Sequence, residues 1–272
     1  MLAPSLLIGF AAAKSLSGWV VLAVERAEPA RFGKKELATA ARETMARTLF
    51  ALLHPFGRST PGPDLAENAA RVTEGERRTP VLILPELGRN RSSLRFLEAF
   101  LRARGFTAVW ATNPPKGDRT LAELAHGVEE AVYRLKASTG ADKIDIVAHS
   151  TGGLLAAWYI RHLGGENHVR RFVTLGCPWK GTRIAVFSRG RIGAEVLYGS
   201  PLLAMLAPPP VPTVSIWSPD DPVIIPSSSA LPTGVESIRI DGGGHVEMLT
   251  SARFFRAAYA ALTHDLGPGV GS

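Results

Sequence analysis

The sequence predicts an α/β fold, a mostly parallel central sheet with helices on both faces. Two observations carry the prediction. From Thr79 onward, short apolar runs alternate with longer stretches whose apolar residues recur every three or four positions, the pattern of strands separated by helices. Strands joined in this way pair in parallel, and a parallel sheet is buried on both sides. A chain of 272 residues with 46% hydrophobic and 20% charged residues can fill such a core in one large domain.

In chain order, "TPVLILPEL" (79–87) reads as a strand running into a turn, and "LRFLEAFLRARGF" (94–106) as a helix ended by Gly105. "TAVWATNPP" (107–115) is a strand. A helix over 120–140 follows, with Leu124, Val128, Ala131, Val132 and Leu135 facing inward. "KIDIVAHS" (143–150) is a strand that turns into an amphipathic helix reaching Leu163, and "VRRFVTLGCP" (169–178) is the next strand. After a variable stretch come strands at 211–221 and 235–245 and a last helix over 246–263.

The N-terminal part stands outside this alternation. Residues 2–24 carry one charge, Lys14, and match the length of a membrane-spanning helix. A charge near the middle of a span costs roughly 2.5–3.5 kcal/mol on insertion scales. A signal peptide fits less well, because no basic residue precedes the apolar run and no small-x-small site closes it. A helix lying in the membrane interface or packed on the domain is the remaining reading. Arg26, Arg31, Lys34, Lys35, Arg42 and Arg47 all follow the run, so a span would leave the rest of the chain on the cytoplasmic side. The expectation is a membrane-associated protein, with secretion as the alternative. A second helix has Leu37, Ala40, Ala41, Met45, Leu49, Leu52 and Leu53 on one face, which should be buried. "HPFGRSTPGPD" (54–64) then breaks structure with prolines and glycines. This divides the chain into an N-terminal helical segment plus linker, 1–78, and a main domain, 79–266.

The formal net charge of +7 comes from scattered basic residues that are not interleaved with aromatics. That is a solvated basic surface rather than a nucleic-acid footprint. Cys177 is the only cysteine, so no disulfide closes within the chain. No ligand-spaced group of His, Cys and carboxylates implies a metal or an organic cofactor.

The chemistry centres on Ala148-His149-Ser150-Thr151-Gly152-Gly153. It is a form of G-x-S-x-G with alanine in the first glycine position, set between a strand and a helix. A sharp reversal there holds the serine in a strained backbone state and projects its Oγ from the sheet. Small residues two before and two after let the strand and helix approach. In this context the stretch resembles the nucleophile elbow of the α/β-hydrolase superfamily, and its alanine variant that of small bacterial lipases. "TLGCPWKGT" (174–182) is similar to the T-L-G-T-P-x-x-G segment of many bacterial lipases, with Cys177 in place of threonine. The resemblance covers about residues 79–262.

A serine hydroxyl needs a base, and the base an orienting carboxylate. The resemblance implies the order Ser, Asp, His, each beyond a strand, which points to Ser150, to Asp220 or Asp221, and to His245. Asp221 is preferred because the family's acid stands before an x-[VI]-[VI] stretch, here Pro222-Val223-Ile224. His149 lies next to the serine, where the usual geometry does not let a base reach it, and is expected to be packed or solvated. The oxyanion donors implied are the backbone N–H groups of Thr151 and Leu87. Here the chain departs from the family, with Pro85-Glu86 where His-Gly usually stands. Glu86 must turn outward, or the site is slower or different.

The variable stretch 179–210 carries Trp179, Ile184, Phe187, Ile192, Val196 and Leu203, and occupies the place of lid or acyl-pocket segments in lipases. An apolar carboxylic ester is therefore the expected substrate, cleaved through an acyl-enzyme. An acyltransferase or thioesterase using the same residues is the alternative among enzymes. A noncatalytic, membrane-associated binding module is the alternative outside them.

Overall fold

The computed structural model describes residues 34–63, 79–115, 117–188, 190–206 and 208–263. The apolar segment 2–24 and the linker 64–78 lie outside the described residues. In chain order the elements are α1 (Lys34–Leu53), β1 (Val81–Leu84), α2 (Arg95–Arg102), β2 (Val109–Ala111), α3 (Leu121–Thr139), β3 (Ile144–His149), α4 (Thr151–His162), β4 (Val169–Leu175), α5 (Arg191–Glu195), α6 (Pro201–Ala204), β5 (Thr213–Trp217), β6 (Glu236–Arg239) and α7 (Ala252–Thr263). The strands form one sheet in the order β2-β1-β3-β4-β5-β6, and every pairing is parallel.

The continuous apolar runs are explained by two cores, one on each side of the sheet. Side chains alternate across a strand. Leu82, Leu84, Ile144, Ile146 and Ala148 thus pack under α3 and α4. Val81, Ile83, Val147, Val173 and Val214 pack on the other side, where Leu97 of α2 and Phe254 of α7 meet them. Both faces need apolar residues, so no polar alternation survives in the central strands.

Local signals fix the ends of α3. The Thr120 hydroxyl accepts from the Glu123 N–H at 3.2 Å, and the Glu123 carboxylate accepts from the Thr120 N–H at 2.7 Å. This reciprocal cap makes Thr120 the residue before the helix rather than its first. Gly140, at φ 66°, ends it in the left-handed conformation. Leu124, Val128, Ala131, Val132 and Leu135 are all buried.

Four expected elements differ. The helix over 94–106 is confined to α2, preceded by a 3-10 turn at Arg91–Leu94. The strand expected at 235–245 keeps only β6, and the helix expected from Val246 is split into a 3-10 turn at Glu247–Leu249 and α7. The largest difference is on α1, whose buried residues are Thr39, Glu43, Ala46 and Phe50. Leu37, Met45, Leu49 and Leu52 are exposed. The helix docks through Glu43, whose carboxylate satisfies buried backbone groups, and through Ala46 and Phe50, which enter the core beside α2 and α7. Among the described residues no helix is long and apolar enough to cross a membrane.

Candidate active site

Ser150 sits in the reversal between β3 and α4 at φ 54°, ψ −129°. Among the described residues it is the one non-glycine residue at positive φ. A state of this kind costs on the order of 1–3 kcal/mol and persists only where its surroundings enforce it. Its N–H is held by the Leu175 carbonyl of the neighbouring strand at 2.9 Å. Ala148 is fully buried in the core under α3 and α4, so its methyl finds a place where the motif usually has glycine. Gly152 answers a different need from the one its spacing suggests. A Cβ there would collide with the carbonyl oxygen of Pro85, in the loop after β1.

His245, on the loop after β6, reaches Ser150 with Nε2 2.9 Å from Oγ. Its Nδ1 lies 2.7 Å from Oδ2 of Asp221. The other oxygen of Asp221 accepts from the N–H groups of Val223 at 2.8 Å and Ile224 at 3.1 Å. Two backbone N–H groups of its own turn therefore fix Oδ1 and leave Oδ2 to His245. Gly176, at φ 57°, lies beneath this pair: a Cβ would come within 3.2 Å of Asp221 Oδ2 and 3.3 Å of His245 Nδ1. That is the physical content of the glycine in "TLGCP". Asp220 points elsewhere, accepting from the Gly242 N–H at 2.6 Å and lying 3.4 Å from the Lys35 ammonium.

Burial alone would push the His245 imidazole down. The Asp221 charge and hydrogen bond, joined by Glu86, outweigh it and lift the ring from its ordinary value to about 10. Glu86 has not turned outward. Its Oε2 is 3.6 Å from His245 Nε2, and its Oε1 takes a hydrogen bond from Arg89 at 2.7 Å. Burial would raise its carboxyl, but the His245 bond and the Arg89, His149 and His245 charges hold it well below the usual carboxylate range. With a fifth of the side chain exposed, this coupling is partly screened by solvent.

His149 is the residue whose part the sequence did not disclose. It is buried, with its Nε2 3.0 Å from the His245 backbone carbonyl and its ring 4.6 Å from the His245 ring. Burial, then the neighbouring His245 charge, drives it down to about 3, so it is neutral and donates to that carbonyl. It thereby braces His245 against the elbow. Among the described residues, Glu86, His149 and His245 are one group with donor atoms within 4.8 Å of one another. His245 already bridges Ser150 and Asp221, and Glu86 is paired with Arg89.

The Leu87 N–H points at the elbow, donating to Oγ1 of Thr151 at 3.1 Å. Thr151 opens α4, and the N–H groups of a helix's first turn have no partner inside the helix. The Thr151 N–H therefore lies at the N-terminus of α4 beside Ser150, where negative charge is favoured, and the Leu87 N–H meets it at the Thr151 hydroxyl. A cavity of about 580 Å³ opens on Ser150 and His245, with Ile184, Phe187, Ile192, Val196, Val223 and Ile224 on its walls. The segment 183–196 thus supplies much of the apolar wall. The Cys177 thiol is buried, and burial pushes it well above its ordinary value. The native protein should therefore give no reaction with a thiol reagent at pH 8, and one equivalent after denaturation. Titration with a disulfide chromophore checks this.

No protein-family model matches the chain. Among solved structures it is similar to Aspergillus fumigatus lipase B, with 16% identity and a TM-score of 0.63 over 99% of this chain and 87% of that one. The mature form of the Bacillus licheniformis lipase BlEst2 matches 71% of this chain and 95% of its own at 11% identity and a TM-score of 0.61. A Rhodococcus 2-hydroxy-6-oxo-6-phenylhexa-2,4-dienoate hydrolase matches 69% and 92% at 15% identity and a TM-score of 0.52. At these identities the likeness is one of architecture, and the architecture of this chain is the α/β-hydrolase fold.

Proposed function

We propose that this protein is a serine hydrolase that cleaves carboxylic esters of apolar acyl chains through an acyl-enzyme. The observation that carries the reading is the chain Ser150 Oγ, His245 Nε2, His245 Nδ1, Asp221 Oδ2, with links of 2.9 and 2.7 Å, built on a strained serine at the mouth of an apolar cavity.

In this reading His245, in its neutral form, takes the Ser150 hydroxyl proton as Oγ attacks the ester carbonyl carbon. The carbonyl π electrons move to oxygen, and the Thr151 and Leu87 amides receive that charge; losing one such donor costs roughly 10²–10³ in rate. The intermediate collapses as the C–O bond to the alcohol breaks, and His245 returns the proton to the departing alkoxide. Water, deprotonated by His245, then releases the acid from Ser150 by the same path in reverse. Asp221 keeps the Nδ1 proton and stabilises the imidazolium. The apolar wall formed by Ile184, Phe187, Ile192 and Val196 accepts the acyl chain.

The test is hydrolysis of a p-nitrophenyl ester series from acetate to palmitate. The reading expects a burst of about one equivalent of p-nitrophenol, then turnover, with kcat/KM rising beyond acetate. A sharp preference for acetate contradicts the apolar acyl pocket, and the absence of turnover on every ester contradicts the activity.

A further inference from the structure

The helix α1 precedes the alternating strands and helices of the hydrolase fold, yet through Arg42 and Glu43 it grips the loop that carries His245. Lys35 lies 3.4 Å from Asp220, whose carboxylate holds the Gly242 N–H. Arg42 donates to the Gly242 carbonyl at 2.8 Å and to Oε1 of Glu247 at 2.7 Å, and the other oxygen of Glu247 takes the Gly244 N–H at 3.0 Å. At the centre is Glu43, fully buried. Its Oε2 accepts from the N–H of Val246 at 2.7 Å and of Glu247 at 2.9 Å, and its Oε1 is neutralised by Arg47 at 2.7 Å.

A buried carboxylate is tolerated only with such a full set of partners, and the loop is shaped to receive it. A Cβ at Gly244 would stand 2.7 Å from Glu43 Oε2. The residue between Gly244 and Val246 is His245, so the two groups fitted to Glu43 flank the imidazole in sequence. The loop has no helix or strand of its own between β6 and the 3-10 turn at Glu247; the N–H groups of Gly242, Gly243 and Gly244 are satisfied by Asp220, Ser218 and Glu247, and those of Val246 and Glu247 by Glu43 of α1.

We propose that Glu43 is a positioning residue of the active site: its carboxylate, by holding the Val246 and Glu247 amides, fixes the loop so that His245 stands between Ser150 and Asp221. The inference rests on the serine-hydrolase reading and deepens it by making α1 a part of the catalytic unit. Glu43 touches no substrate. Its effect passes through the place of the imidazole, where misplacement by about 1 Å is worth roughly 10² in rate.

The experiment measures kcat and KM for a p-nitrophenyl ester in the full chain carrying Glu43→Gln, Glu43→Asp or Glu43→Ala, with saturation labelling of Ser150 by a fluorophosphonate as the count of competent sites. Gln keeps the reach without the charge, and Asp keeps the charge but falls one methylene short. The expected order of kcat is wild type, Gln, Asp, Ala, with Gln within about tenfold of wild type and Ala down about a hundredfold, and KM within about twofold throughout. A merely structural role would lower the labelled fraction and leave kcat per labelled site unchanged, and that result overturns the proposal. If Ala does not fold, Asp decides in the same way: reduced kcat per site at constant KM supports it, and wild-type kcat overturns it. Failure of wild type to label at Ser150 would instead remove the hydrolase reading beneath it.

Discussion

Replacing Asp221 with asparagine lowers kcat by about 10³–10⁴-fold while leaving the fold and the cavity in place. The magnitude follows from what the carboxylate does. It holds the Nδ1 proton at 2.7 Å, so that Nε2 is left as the acceptor facing Ser150, and it stabilises the cation that forms when the hydroxyl proton moves. An asparagine amide can present its NH₂ to Nδ1 and favour the opposite tautomer, for which losses of this order are typical. The neighbouring Asp220 makes a sharp control. It is equally an aspartate in the same turn, but its carboxylate serves Gly242 and Lys35. Asp220→Asn should cost less than tenfold in kcat and show itself in thermal stability. Steady-state kinetics of the two variants checks this, and the reverse order contradicts the assignment of Asp221.

Glu86→Gln moves the acid limb of the kcat/KM profile to lower pH. The groups facing the His245 ring are Asp221, Glu86 and the neutral His149. Together the two carboxylates hold the ring charged up to about pH 10, and a charged ring cannot take the Ser150 proton. Activity should accordingly rise with pH through the alkaline range, in proportion to the neutral fraction. Removing the charge 3.6 Å from Nε2 favours the neutral ring, and one nearby charge is worth roughly one pKa unit or more. At pH 7, on the rising limb, each unit is tenfold in rate, so the variant should be about tenfold faster there and no faster at the plateau. An unchanged or upward-shifted limb contradicts this account of Glu86. In the proposed mechanism Glu86, held by Arg89, would act with Asp221 to set the pH at which the base becomes available, whereas glycine would leave it to Asp221 alone.

The parts of this molecule legible in the sequence are those whose causes are local. The strands are apolar because both sheet faces are covered, and α3 is bounded by Thr120 and Gly140 through bonds made within a few residues. The strand-to-helix turn marks Ser150, while Asp221 and His245 follow from the order that the resemblance implies, and the fold brings the three side chains together. What the sequence concealed depends on contacts across long separations. The apolar stripe of α1 points outward because the helix is docked by Glu43 and Arg42 on a loop some two hundred positions away. Thr39, Glu43, Ala46 and Phe50 do have helical spacing, but a face centred on an acid carries no hydrophobic signal. His149 gave none either, since its role is set by the carbonyl of His245 rather than by its neighbours in the chain. Position alone marked Glu86 as a departure, and only the fold shows that it faces the imidazole and is paired with Arg89.

The central claim is that Ser150 is the nucleophile of the chain Ser150, His245, Asp221. It is tested most directly by treating the native protein with a fluorophosphonate probe and mapping the modified peptide. The account predicts one equivalent of label, on Ser150, with loss of label in Ser150→Ala and strong slowing in Asp221→Asn. Wild-type protein that stays unlabelled, or that labels equally in Ser150→Ala, contradicts it.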